Sequence, residues 1–528
     1  MFSRFQDHVL LGTAALLLLV VPGCVNRDGV GNFRTQDPDP FSPGGDFQPP
    51  DRWWLEFNEP RLNARVNEAL SGSFTLAAAR QRLAAARAIA RREASDFFPD
   101  VNGIADATTL FGPGETEKTS LLGLDAAYQV DVWGEIEARV DAQRLRAAAT
   151  REDYHALALT LSAEIARTWF SLIEANAQAS LVQEQIDTNK MGLAAQEARF
   201  GRGFVRAADV LRQRQLVEST LEQAVVAKSR IEVLEHQMAV LLGDLPQSAR
   251  YFPGETLPTL APLPATGLPS ELLRRRPDVR RDYLAFKAAD RDLAAAISAQ
   301  FPRISLTGSV LNIADRPETV FRDWFVSIGS QLVAPLIDGG QRRAEVDRTA
   351  AVTCELFNQY GQTMLIAFQE VEDNLAREQY QVERLKHLGA QVELARQSSE
   401  QLREQYQIGD TDYLSVLTAI TGQQRLQRDM LSAQLELRLI RINLYLALAG
   451  GFDVRPQDDF LFTVTELEET EEPVQNPTEN VNPSFDEPEL DEPDLDEPEV
   501  QDLELEMPLT NELTDDSIIA AAEMILDE

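Results

Sequence analysis

Phe200 to Leu211 reads FGRGFVRAADVL, and Tyr406 to Leu417 reads YQIGDTDYLSVL. The two stretches share an aromatic residue, a glycine three positions on and a Val-Leu pair seven positions after that, at a shift of 206. Outward from these segments the correspondence continues in order. Phe98-Pro99-Asp100-Val101 matches Phe301-Pro302-Arg303-Ile304 at 203, Gly134 matches Gly339 at 205, and Leu242-Gly243 matches Ala449-Gly450 at 207. A shift that drifts this slowly, over about 150 positions, marks a tandem duplication.

Each copy holds a long proline-free block. There is no proline between Pro113 and Pro246, and none between Pro335 and Pro456. Residues 134–200 contain only Gly192 inside, and 340–408 only Gly361 and Gly389. Apolar residues recur at three and four, as in Leu161, Ile165, Trp169 and Leu172, which is a coiled-coil-like stripe. At ~1.5 Å per residue each helix is on the order of 100 Å long. The flanking helical stretches, about 60–96 and 207–242, then 270–300 and 412–449, are each near half that length. Two laid end to end cover one long helix. Before each long helix the period changes to two. Asp100 to Phe111 and Leu121 to Asp131 alternate around the turn Gly112-Pro113-Gly114; Arg303 to Asn312 and Trp324 to Val333 do so around a charged loop.

The reading is therefore mainly α with β, one hairpin per repeat. Repeat 1 covers 51–243 (hairpin 100–131, long helix 134–200, helix 207–242). A Pro-rich connector covers 244–270. Repeat 2 covers 271–452 (hairpin 303–335, long helix 340–408, helix 412–449). Strands of about ten residues match a tilted membrane crossing. Four strands cannot close a barrel, and lipid does not tolerate open edges. Bacterial barrels start at about eight strands, and three chains would supply twelve. A soluble hairpin capping a helical bundle shows the same alternation.

The ends differ from this body. Val9 to Val21 is apolar and uncharged, too short to span as a helix but fit for a signal-peptide core, and it runs into Val21-Pro22-Gly23-Cys24. Residues 1–23 are read as the signal, and 24–50, rich in Pro, Gly and Asp, as an extended leader. Residues 465–528 hold 24 acids and no Lys or Arg, including the run Asp486-Glu-Pro-Glu-Leu490 and two similar units. The tail 453–528 is expected to be disordered, because such a composition repels itself and has little to bury. The first 464 residues balance 61 acids against 49 bases, so most of the formal −36 belongs to the tail.

This balance argues against nucleic acid as a partner, since phosphate binding needs a basic surface. Two cysteines exclude a disulfide framework, and four scattered histidines offer no metal site. The chain contains no GxSxG, HExxH, P-loop or CxxC pattern, so no enzyme is expected. A coiled-coil surface scaffold is the non-channel alternative.

Several motifs in this order resemble the outer-membrane factors of the TolC/NodT type, which serve RND-type efflux systems. They are Trp53-Trp54 with Phe57, Tyr128-Gln-Val-Asp-Val-Trp-Gly134, Gly267-Leu-Pro-Ser270 with Arg276-Pro-Asp-Val-Arg280, Phe301-Pro-Arg-Ile-Ser-Leu-Thr-Gly308, Pro335-Leu-Ile-Asp-Gly-Gly340 and Tyr445-Leu-Ala-Leu-Ala-Gly-Gly451. The resemblance implies a homotrimer with a twelve-stranded barrel in the outer membrane of a Gram-negative-type cell and a long α-helical periplasmic tunnel. It implies a periplasmic adaptor (membrane fusion) protein and an inner-membrane RND-type pump as partners, with no cofactor and no metal. Outlet duty in type I protein secretion is the alternative within the class. The Cys24 box resembles a lipobox, which implies a covalent lipid on Cys24 and anchoring to outer-membrane lipid. By resemblance the turns at Gly203 and Gly409 meet the adaptor, through Arg202, Gly203, Asp209, Leu211, Tyr406, Gly409, Asp410 and Leu417. The family closes its tip with acidic and tyrosine rings. Tyr406 matches; Ser415 and Thr418 stand where Asp is frequent, which leaves Asp410 and Asp412 as the acids for the gate.

Overall fold

The computed structural model of the chain describes Phe41 and residues 52–448, apart from 112, 114–115, 249, 255, 265–268 and 315–320. The signal segment, Cys24, most of the leader and the acidic tail lie outside the described residues.

Residues 60–94 form two helices rather than the single one expected over 60–96. Helix α1 spans Pro60–Gly72 and α2 spans Phe74–Ala94. Pro60 opens α1, where its missing N–H costs nothing. Ser73 is extended (φ −64°, ψ 126°), and the weak helix formers Gly72 and Ser73 place the break there. The first long helix, α3, spans Glu135–Gly201, and α4 spans Ala207–Leu242. In repeat 2 the expected helix over 270–300 is also broken: α5 spans Pro269–Arg275 and α6 spans Pro277–Ser298. Pro277 forces Arg276 out of the helical region, to φ −69° and ψ 123°. The second long helix, α7, spans Gln341–Ile408, and α8 spans Tyr413–Leu448.

Helices α2, α4, α6 and α8 lie along α3, while α6 and α8 also lie along α7. The repeats thus share walls instead of forming separate bundles. The apolar core sits where the half-length helices meet. Trp53, Trp54, Phe57, Tyr154, Phe170, Ile442 and Tyr445 are buried together there, with Phe57 and Phe170 ring centroids 4.8 Å apart. Truncating one such aromatic side chain to alanine costs about 3–5 kcal/mol. A second cluster joins Val279, Val371 and Leu444, and Phe41 from the leader packs on it against Phe368. The connector is strapped to α8: Arg438 donates to the Pro258 carbonyl at 2.7 Å, and Arg441 to those of Ala261 and Pro262.

Strands β1 (Asp100–Phe111), β2 (Thr116–Val130), β3 (Arg303–Ala314) and β4 (Trp324–Val333) form one antiparallel sheet in the order β1-β2-β3-β4. The hairpins of the two repeats are therefore paired through β2 and β3, with Val130 opposite Ile304 and Ser120 opposite Ala314. Gly123 makes this pairing possible, because a Cβ there would lie 2.2 Å from the Val310 carbonyl oxygen. β1 and β4 are left as outer edges, exposed along their lengths except at the half-buried Ile104 of β1.

Candidate functional site

The register sorts the sheet into two chemically different faces, because partners directly opposite share a face and neighbours along a strand alternate. One face carries Val101, Leu122, Leu124, Tyr128, Val130, Ile304, Leu306, Val310, Val326, Ile328 and Leu332. The other is mixed but richer in polar residues: it carries Asp100, Asn102, Asp106, Thr108, Asp125, Gln129, Ser305, Thr307, Ser309, Ser327 and Gln331, together with Ile104 and Val333 and, toward the hairpin-loop end, Leu110, Leu121, Leu311, Ile313 and Phe325. Ser309 and Ser327 hydroxyls meet across β3 and β4 at 2.8 Å on this polar side. A soluble cap would bury its apolar face on a bundle. Here that face is open, with Leu124, Val326, Ile328 and Leu332 more than half exposed. This is the division of a membrane barrel wall, apolar toward lipid and polar toward a water-filled lumen.

Where strand meets helix, an aspartate receives the orphan N–H groups of each long helix. Asp131 accepts from Glu137 N–H at 2.8 Å, and Asp338 from Gly340 and Arg342 N–H at 3.0 and 3.3 Å.

At the opposite ends of the long helices lie the two turns named from sequence. Both close as Schellman motifs. Gly203 (φ +79°) donates to the Phe200 carbonyl and Phe204 to that of Arg199; Gly409 (φ +84°) donates to the Tyr406 carbonyl and Asp410 to that of Gln405. A left-handed residue is required at both positions, which glycine adopts without strain. Arg202 caps α3. Asp209 lies in the first turn of α4, paired with Arg212 at 3.2 Å. Leu211 is exposed, Leu417 half-buried and Asp410 exposed. Around them Phe204, Ile408 and Leu414 are also exposed, and the sequence reading did not single these out.

The two turns are tied by polar side chains. Tyr406 and Tyr413 rings lie 5.2 Å apart; the Arg199 guanidinium sits 4.7 Å from the Tyr406 ring, and the Tyr406 hydroxyl donates to Gln196 at 3.2 Å. The Tyr413 hydroxyl donates to Gln213, whose amide donates to the Asn189 carbonyl at 2.8 Å. Asn189 and Gln424 amides pair reciprocally at 3.3 and 3.1 Å, and Arg428 donates to Gln185 at 2.6 Å. Burial pushes the Tyr413 phenol up to about 12, with help from the neighbouring Tyr406. Asp412 receives the Ser415 N–H at 2.8 Å, which caps α8 and holds its carboxyl below the usual range. Of the proposed gate residues, Tyr406 thus belongs to this network and Asp412 to a helix cap. Asp410 has no side-chain partner among the described residues. Among those residues no group of three or more His, Cys, Asp or Glu is placed to hold a metal ion.

The profile of the outer membrane efflux protein family matches residues 66–244 and 268–450, one match per repeat. The chain is similar to the pyoverdine export outer membrane protein OpmQ of Pseudomonas aeruginosa, 28% identical over 421 residues, covering 76% of this chain and 87% of that one. It is 26% identical over 407 residues to the cation efflux system protein CusC of Escherichia coli, covering 76% and 88%. Among solved structures, the outer-membrane channel OprN superposes with a TM-score of 0.74 at 28% identity, covering 80% of this chain and 98% of that one. The duplicated helices, the two-faced sheet and the matched profile agree: the chain belongs to the outer membrane efflux protein family.

Proposed function

We propose that this protein is the trimeric outer-membrane channel of a tripartite efflux system, a passive duct carrying small molecules from an inner-membrane RND-type pump and a periplasmic adaptor to the exterior. The observation that carries this reading is the sheet: four strands, one apolar and one polar face, and two unpaired edges. A lone open sheet leaves its edge N–H and C=O groups unsatisfied in lipid. Three copies close it into a twelve-stranded wall with the polar face inward. The tip turns then point into the periplasm. Their exposed Phe204, Leu211, Ile408 and Leu414 supply an apolar patch for an adaptor, framed by Arg202, Gly203, Asp209, Tyr406, Gly409, Asp410 and Leu417. Tyr406, Asp410 and Asp412 form the gate, repeated once per copy. A lipid on Cys24 supplements the barrel as an anchor, since one acyl chain alone holds a membrane only marginally.

Relatives at similar identity are named for pyoverdine, for cations and for toluene. That relatives named for unrelated cargo share this fold supports the reading that cargo choice lies mostly with the pump. The test is native mass measurement of the full chain extracted from outer membranes in detergent. Three copies, each lighter by residues 1–23 and heavier by a thioether-linked diacylglycerol and an acyl chain, are expected. A monomer found only in the soluble fraction contradicts the duct.

A further inference from the structure

The face of the sheet that the duct turns toward its lumen changes character along the strands. Three successive rows across the sheet, starting at Gln129, hold no apolar side chain larger than alanine. The third of them is Asn102, Asp125, Ser309 and Ser327, polar in all four strands. The next row is Ile104, Gly123, Leu311 and Phe325, with no polar side chain in any strand. The row beyond sets Asp106 beside Leu121 and Ile313, and Thr108 opposite Thr119 then restores polarity. The result is a bounded apolar patch two rows deep on the water-facing side of the wall. A water-filled lumen calls for polar side chains here, and an exposed apolar patch rimmed by polar groups marks a contact surface.

No described segment covers the patch: Phe325 is 58% exposed and Ile313 46%. The end of the β3–β4 connection is held on the opposite face. There the Asn312 amide donates to the Asp323 carbonyl at 2.7 Å, and Asn312 Oδ1 accepts from the Phe321 N–H at 3.2 Å. Asn312 pairs with Leu122 and Trp324, on the lipid side.

The charges beside the patch have one sign. Asp125 and Asp106 stand one row below and within it, each a single on-face step from the apolar row, roughly 7 Å along the strand. Asp106 accepts from the Thr108 hydroxyl at 2.7 Å, and Asp125 has no side-chain partner among the described residues. No free base answers them on this face. Arg303, at the helix end, is paired with Glu135 at 2.7 Å, and Lys118 lies on the other face, opposite Thr109.

We propose that this patch is a contact site for lipophilic organic cations in transit: the apolar body rests on Leu311, Ile313 and Phe325, and Asp125 and Asp106 attract the positive charge. This rests on the duct reading above and adds the class of molecule that the strand wall itself holds. The two features act on one molecule only when it carries both. A small hydrated cation gains nothing from the apolar row, and an apolar anion is repelled by the carboxylates. The Phe325 ring adds a face on which a cation is favoured.

The experiment records single-channel currents of the full-length chain in planar bilayers. Tetrabutylammonium is the probe, tetramethylammonium the cation with little apolar surface, and hexanesulfonate the apolar anion. Tetrabutylammonium is expected to block at a concentration at least tenfold below either of the others. Leu311→Ser with Phe325→Ser is expected to raise its half-blocking concentration at least fivefold, and Asp125→Asn to do the same. Phe325→Ala alone, with an expected rise of at least twofold, serves as the second reading should the double variant fail to assemble. A conducting parent chain that hexanesulfonate blocks equally well overturns the site and leaves the duct standing. So does a tetrabutylammonium block that survives the apolar substitutions or Asp125→Asn unchanged. A parent chain without conductance overturns the duct and the site together.

Discussion

Arg441 on α8 and Glu378 on α7 face each other as a bidentate ion pair in which each side chain is only 4% exposed. Arg441 also donates to the Ala261 and Pro262 carbonyls, and its guanidinium lies 5.9 Å from the Tyr445 ring. One side chain therefore joins both helices, the connector and the aromatic core. Removing Glu378 leaves a buried cation without its counter-charge. Glu378→Ala is expected to cost about 3–5 kcal/mol, whereas replacing both partners by apolar residues of similar volume costs far less. Thermal melts of the single and double variants measure this, and equal losses in the two would contradict it.

Tyr413 gives the tip a dependence on alkaline pH. Its phenol, pushed up to about 12 by burial, ordinarily titrates near 10. The folded state then keeps a proton that the unfolded chain loses. The stability from this group is complete below about pH 10 and falls as the pH rises toward about 12. Tyr413→Phe is expected to flatten this fall in melts recorded between those values. A fall as steep as in the parent chain would contradict the assignment.

Much of this architecture was legible in the sequence, and the residues that were not share a reason. Gly203 and Gly409 declared the tips because a left-handed turn residue has few substitutes. The long helices declared themselves through absent proline, and the strands through alternation. The break at Arg276 was written in Pro277, but the helical pattern on both sides masked it. Gln185, Asn189, Gln213 and Gln424 could not be seen. In a helix an amide at a core position reads as surface, and only the packing of α3, α4 and α8 shows these four buried and mutually bonded. Gly192 belongs with them: a Cβ there would stand 3.0 Å from the Gln213 amide nitrogen.

Asp410 and Asp412 divide the work at the second turn. Asp412 caps α8 through Ser415, and its lowered pKa means that this contribution is present above the ordinary carboxylate range and lost as pH falls below it. Asp410 is exposed and has no such duty. Asp410→Asn is expected to reduce cation preference in bilayer recordings with thermal stability unchanged. Asp412→Asn is expected to lower stability as well as selectivity. Unchanged selectivity in both variants would remove these residues from the gate.

Gly123 tests the sheet. Gly123→Val drives a side chain into the Val310 carbonyl and Leu311. It is expected to separate the two hairpins and abolish membrane assembly. A normal yield of trimer from this variant would contradict the β2–β3 pairing.

The most direct measurement of the duct is single-channel recording in planar bilayers with one cysteine placed on each face of the sheet, in the Cys354→Ser chain. Ser309→Cys lies on the polar face and Ile328→Cys on the apolar face. A water-soluble, charged thiol reagent is predicted to change the current through Ser309→Cys and to leave that through Ile328→Cys unaltered. No conductance from the parent chain, or equal modification of the two positions, would contradict a water-filled pore walled by this sheet.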